Sequence, residues 1–169
     1  GGDGTSWASA FTTIQAGIDA STNGDTVLLA DGVYIGDGNR DLTYNGKEIT
    51  VRSENGPQNC TIDCQATRTQ AYRGVKFING ETNASVLEGI TIRNGGGPLE
   101  DPFGTGTPRS HGGAVYIFQS SPTIRNCQFV NNMGWPSQGI GLPPTVGYGG
   151  GVSCVNSSAC FENCVFLSN

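Results

Sequence analysis

The stretch GGAVYIFQSSPTIRNCQFVNN (residues 112–132) is followed 37 positions later by GGGVSCVNSSACFENCVFLSN (residues 149–169). Nine of the 21 aligned positions are identical: both leading glycines, a valine, Ser-Ser, Asn-Cys, a phenylalanine and the closing asparagine. A shorter copy, ASVLEGITIRNG (84–95), precedes them at the same interval. Aligned, Leu87, Ile124 and Phe161 form one column, Ile90, Cys127 and Cys164 a second, and Ile92, Phe129 and Phe166 a third. Thr91, Gln128 and Val165 alternate with them.

Alternation with period two marks a strand with one buried face. Like residues returning at a fixed interval mark a repeat whose units bury their inner faces only by stacking on one another. An all-β parallel solenoid is therefore expected, with strands about 4.8 Å apart and ladders of equivalent side chains filling the core. The columns Gly89/Asn126/Asn163 and Asn94/Asn131/Ser168 read as corners, where tight or left-handed backbone is needed.

Outward from this repeat, short β-branched runs read as earlier strands: TVLLADGVYIG (26–36), EITVRS (48–53), CTIDC (60–64) and GVKFIN (74–79). EITVRS is expected to join the same register, with Ile49 and Val51 under Ile90 and Ile92. Residues 6–21 carry a helical period instead, with Trp7, Ala10, Phe11, Ile14 and Ile18 on one face and Ser6 as N-cap. Such an amphipathic helix can cover the first coil's open end. The chain reads as one domain over 1–169, with coils over 26–169.

The opening DGTSWASAFTTIQAGIDAS…GDTVLLADGVYIG resembles the N-terminal cap and first coil of secreted bacterial β-helix proteins. The GGAV…FVNN and GGGV…FLSN units resemble the GGA[ILV] and FxxN repeats of chlamydial polymorphic outer membrane proteins. The resemblance implies a right-handed parallel β-helix of the pectin-lyase-like superfamily, and a secreted or cell-surface protein. It does not imply one activity, because that fold carries lyases, hydrolases, tailspikes and adhesins.

Composition narrows the partners. The chain has 169 residues, net charge −5, 27 glycines and only two lysines, Lys47 and Lys76. No basic cluster suits nucleic acid, and no apolar run reaches the roughly 20 residues of a membrane helix. Polysaccharide, or a cell-surface or matrix protein, is the expected partner. Six cysteines (Cys60, Cys64, Cys127, Cys154, Cys160, Cys164) read as disulfides or buried thiols rather than zinc ligands, since no CxxC occurs and His111 is the one histidine. Cys60 with Cys64, Cys154 with Cys160, and the stacked Cys127 and Cys164 are the candidate pairs.

Candidate chemistry lies between the copies. A 37-residue period exceeds a bare coil of roughly 22 residues. The excess falls in two 16-residue inserts, 96–111 and 133–148, expected to leave the same corner of adjacent coils. Phe103, Arg109, His111, Trp135 and Tyr148 on them are the candidate binding residues. Aromatic rings beside charged groups suit sugar or protein contact; the same rings would also serve to pack the inserts together. Asp37, Asn39 and Asp41, with Glu48 at the twelfth position, resemble a calcium loop, although Leu42 stands where that loop wants glycine. Arg52 and Arg93 are expected in one outward column, and Asp63 with Glu88, or Glu100 with Asp101, are the carboxylate pairs available to a glycosidase. No cofactor is called for, calcium apart. The reading is a structural or adhesive module without catalysis, with a calcium-assisted polysaccharide lyase as the alternative. The last copy closes on Asn169 as an uncovered coil. Further coils, or head-to-tail stacking of copies, would cover it.

Overall fold

The computed structural model describes residues 2–101, 104, 106, 109–134 and 147–169. Among them the fold is all-β and mostly parallel, with one α-helix, α1 (Ile14–Ala20). The first sheet holds β1 (Thr26–Leu29), β4 (Thr50–Ser53), β7 (Val86–Glu88), β12 (Thr123–Arg125) and β15 (Cys160–Glu162) in that order. The second holds β2 (Gly32–Tyr34), β5 (Cys60–Asp63), β8 (Thr91–Arg93), β13 (Gln128–Val130) and β16 (Val165–Leu167). The third holds β3 (Leu42–Thr43), β6 (Val75–Phe77), β11 (Val115–Phe118) and β14 (Val152–Val155). The chain visits the three sheets in turn, and every pairing within them is parallel. This order is compatible with a β-helix or solenoid. The antiparallel exception is a small hairpin, β9 (Leu99–Glu100) with β10 (Arg109–Ser110).

The repeat columns are the observed register. Leu87 pairs with Ile124 and Ile124 with Phe161; Ile92 pairs with Phe129 and Phe129 with Phe166. The Phe129 and Phe166 rings stack with centroids 4.9 Å apart. Leu87, Ile90, Ile92, Ile124, Cys127 and Phe129 are all fully buried. Both expected corners are left-handed. Gly89, Asn126 and Asn163 have φ of 66, 55 and 50°, and Asn94, Asn131 and Ser168 have φ of 53, 54 and 53°. Asparagine tolerates that region better than most residues, which explains its recurrence there.

The closing asparagine of each FxxN unit does something else. Asn132 is fully buried. Its Oδ1 accepts from Gly95 N (2.8 Å), and its Nδ2 donates to Ile92 O (3.1 Å) one circuit back and to Asn169 Oδ1 (2.9 Å) one circuit on. Asn169 repeats the pattern, donating to Phe129 O and accepting from Asn132 N. The paired glycines leave room for this. A Cβ on Gly113 would lie 2.3 Å from Gly150 O and 2.7 Å from Met133 N.

Three expectations are corrected. EITVRS belongs to the first sheet: Val51 pairs with Leu87, and Ile62 lies under Ile92. Before the repeat the steps between paired residues vary from sheet to sheet, 36 residues from Val51 to Leu87 but 30 from Ile62 to Ile92, so a fixed 37-residue interval does not carry the register back to them. Arg52 and Arg93 consequently lie in different sheets, Arg52 beside Glu88 and Arg93 beside Asp63. The helix over 6–21 is broken into a 3-10 turn (Trp7–Ser9) and α1. Ser6 caps the first, as expected, but Thr13 caps the second by accepting from Ala16 N, and Ala10 between them is extended. A β-branched Thr-Thr pair is a poor helix interior and a good cap. Ile14 and Ile18 still join the core, α1 packs on β1 and β3, and the Lys47 ammonium donates to the Ile18, Asp19 and Ser21 carbonyls at its C-terminus.

Asn132→Ala should lower unfolding free energy by about 3 kcal/mol, because it strands a buried amide and a buried carbonyl on the preceding circuit. Urea denaturation measures this; a loss no larger than at exposed Asn131→Ala would contradict it.

Candidate functional site

The inserts stack at their roots. Gly96 bridges Met133 and His111 bridges Tyr148, each pair 37 residues apart and parallel. Arg109, His111 and Tyr148 therefore meet. The His111 and Tyr148 rings stack at 5.4 Å, and the Arg109 guanidinium lies over the Tyr148 ring at 5.3 Å while donating to its hydroxyl. His111 is buried, with Nδ1 3.3 Å from Ser153 Oγ. Phe103 and Trp135 lie outside the described residues.

Two members of this cluster escaped the sequence reading. Arg73 is fully buried; its Nη1 meets Glu100 Oε1 at 2.7 Å, and its Nε donates to the His111 and Gly112 carbonyls. Tyr116 is 3% exposed, with its ring 4.8 Å from the Arg73 guanidinium carbon and 5.6 Å from the His111 ring. A signal for Arg73 existed. Val75, Val115 and Val152 pair across the third sheet, so Arg73 of YRGV stands where the later copies have Gly113 and Gly150. A charged side chain replaces the glycine of the repeat, and it reaches the next circuit's backbone.

Below the insert roots an open groove of about 530 Å³ is lined by Asp63, Gln65, Ala66, Asn94, Gly95, Asn131 and Met133. Asp63 is held there by Arg93 Nε (2.9 Å), Asn94 Nδ2 (3.0 Å) and Gln65 N. Burial opposes its ionisation, but these hydrogen bonds outweigh that and hold its carboxyl below the usual range. Glu88 is paired with Arg125 in another sheet, so the structure does not bring Asp63 and Glu88 together. Glu100 is turned to Arg73, while Asp101 accepts from Gly106 N.

The calcium-loop candidates are each hydrogen-bonded to other protein groups. Asp37 pairs with Arg40, Asn39 accepts from Ile14 N and donates to Ile35 O, and Asp41 accepts from Arg73 N. Glu48 accepts from Thr82. Among the described residues no group of three or more His, Cys, Asp or Glu side chains is arranged to hold a metal.

All six cysteines are free thiols, so the expected pairings do not form. Cys60 opens β5 and Cys64 follows its end, so four residues of extended strand separate their Cα atoms by roughly 13 Å, beyond disulfide reach. The Cys127 and Cys164 sulfurs point at carbonyls, Leu87 and Arg125 for one, Ile124 and Glu162 for the other. Cys154 lies on β14 and Cys160 on β15, in different sheets, and Cys160 Sγ faces Glu162. Burial pushes the Cys60 and Cys127 thiols up to about 12, and Cys64 higher still.

Comparison with known proteins found no matching family model, no matching curated protein and no matching solved structure.

A disulfide-exchange titration of the folded protein should modify Cys154 and Cys160 promptly and leave Cys60, Cys64 and Cys127 silent until denaturant is added; prompt reaction at those three would contradict the buried assignment. A second outcome concerns pH. Burial lowers the His111 pKa from its ordinary 6.5, so the unfolded chain takes up the proton more readily than the folded one. The His111 contribution is intact above 6.5 and is lost as pH falls through that value toward the folded pKa. Melting temperature followed from pH 7.5 to 5 should drop more in wild type than in His111→Asn; parallel curves would refute this.

Proposed function

We propose that the chain is a right-handed parallel β-helix acting as a secreted or cell-surface structural and adhesive module. The observation that carries this reading is the stack of three parallel sheets with the insert roots along its flank. β14, β15 and β16 are each the outermost strand of their sheet, and Phe161, Val165, Phe166 and Leu167 are exposed there. At the other end α1 packs on β1 and β3. An unpaired edge backed by apolar side chains is a template for further parallel strands, from more coils or from another copy. The insert roots, with Tyr148 and Arg109 exposed, supply a lateral surface for polysaccharide or a matrix protein. Residues with catalytic potential are largely occupied: Asp63 by Arg93, Glu88 by Arg125 and Glu100 by Arg73.

A carbohydrate-active reading rests on a separate observation, the open groove with Asp63 and its partner Arg93 beside it. On that reading the chain would be a lyase-like enzyme, assisted by calcium, acting on an acidic polysaccharide.

Light scattering across a concentration series separates the parts of this proposal. Self-association that Val165→Lys with Leu167→Lys abolishes is the expected result, because edge charges block strand addition. A monodisperse monomer at high concentration would remove the self-assembly claim. Binding to cells or matrix, with no calcium-dependent rise in absorbance near 235 nm on uronate polymers, supports the adhesive module; such a rise would favour the lyase.

A further inference from the structure

His111 is the one histidine of the chain, and it stands where the roots of the two inserts meet. Histidine alone among side chains has an ordinary pKa that puts its charge change between about pH 5 and 8. The inserts carry no second group of that kind. Glu100, Asp101 and Arg109 are the other ionisable residues of the first, and Tyr148 is the one titratable side chain of the second.

How the root is held sets what that charge can do. The circuits are joined by strand ladders around the fully buried Leu87, Ile92, Ile124 and Phe129. Among the described residues the root is held by the two-pair hairpin β9–β10, by the isolated bridges Gly96–Met133 and His111–Tyr148, and by Arg73 Nε on the His111 and Gly112 carbonyls. The side chains buried there are polar or aromatic: Ser110, His111, Tyr116 and Ser153. A segment with few apolar contacts opens locally at a smaller free-energy cost than the core beside it.

The closed root keeps His111 uncharged. Its ring stacks on Tyr148 at 5.4 Å with 16° between the planes, lies 5.6 Å from Tyr116, and has Nδ1 3.3 Å from Ser153 Oγ. The charged groups acting on it are Arg73 from the segment before β6, Glu100 from β9 and Arg109 from β10. Burial is the largest influence and disfavours the imidazolium; Glu100 favours it, and the two arginines oppose it. The balance holds the His111 pKa below its ordinary 6.5. An opened root returns the ring to water, where 6.5 applies, so the open state takes the proton more readily. Opening is therefore insensitive to pH well above 6.5 and grows as pH falls through 6.5 toward the folded value.

We infer that the insert root is a proton-operated latch: protonation of His111 releases the root from the third sheet while the three-sheet stack stays folded. Release separates His111 from Tyr148 and takes its ring off Tyr116 and Ser153. The latch is independent of what the inserts bind.

Amide hydrogen exchange at pH 7.5, 6 and 5 tests this, with each rate corrected for the intrinsic effect of pH. Gly97, Gly112 and Tyr148 report the root, because their amides donate to the Met133, Tyr148 and Ser110 carbonyls across it. Thr123 and Gln128, donating to the Ser85 and Ile90 carbonyls, report the stack. Protection at the root should fall between pH 7.5 and 5. The fall should reach up to about tenfold for each unit by which the His111 imidazole, titrated by NMR in the same sample, lies below 6.5. The stack amides should keep their protection, and His111→Asn should remove the pH dependence at the root. The ratio between pH 5 and 7.5 is read within each protein, so a variant whose root is looser at every pH still decides. Root and stack amides losing protection together would overturn the latch, because the acid response would then be global. So would a root response as large in His111→Asn as in wild type, or an imidazole that titrates at or above 6.5.

Discussion

The side-chain amide of Asn132 ties three circuits together, and the rest of the structure depends on that tie. A parallel sheet holds neighbouring strands by evenly spaced backbone hydrogen bonds, and its register is set by what the inward side chains meet. Asn132 adds fixed points at a corner where the ladder is interrupted. Its oxygen takes the Gly95 amide, and its nitrogen takes the Ile92 carbonyl and the Asn169 oxygen. With the corner locked, Ile92, Phe129 and Phe166 fall on one line. The two inserts that leave this corner then start from the same place on adjacent circuits. The stacked bridges Gly96–Met133 and His111–Tyr148 are the consequence.

The parts of the fold legible in the sequence were those that repeat at 37 residues. Equal spacing forces equal neighbours, so the columns from Leu87, Ile90 and Ile92 onward translated directly into pairings. The left-handed corners were legible for a local reason: asparagine, glycine and serine stand where φ is positive. Before residue 84 the period fails, because the steps between paired residues there differ from one sheet to the next. Strands were still recognisable from alternation, but a strand's type does not say which sheet it joins, and EITVRS was placed one sheet away from its true position. The break at Thr13 has the same character. Periodicity over 6–21 gave the buried face of α1 but could not weigh a threonine's capping bond against one more helical turn.

Of the candidate site, Arg109, His111 and Tyr148 were legible because equal inserts had to lie together. Arg73, Ser153 and Tyr116 were not, and Glu100 was read as a carboxylate beside Asp101 rather than as the partner of Arg73. Arg73 precedes the repeat and substitutes for its glycine, so alignment alone marks it as a departure rather than a site residue. Tyr116 and Ser153 are outward members of otherwise ordinary strands, and their contacts with His111, and the Arg73 guanidinium over Tyr116, come from residues far off in sequence. The expected disulfides failed on geometry that spacing conceals. Stacked cysteines on parallel rungs are near neighbours in Cα terms, but each sulfur here is directed at a carbonyl of its own or the adjoining circuit. A core column can therefore use cysteine as a small apolar residue.

The register of the stacked circuits is the claim from which the others follow, and side-chain NOEs from the Phe129 ring read it most directly. The account predicts contacts from Phe129 to Ile92 on one side and to Phe166 on the other, each 37 residues away, with Ile62 continuing the line beyond Ile92. A Phe129 ring in contact with residues displaced from those partners, or flanked by strands running antiparallel to its own, would contradict it.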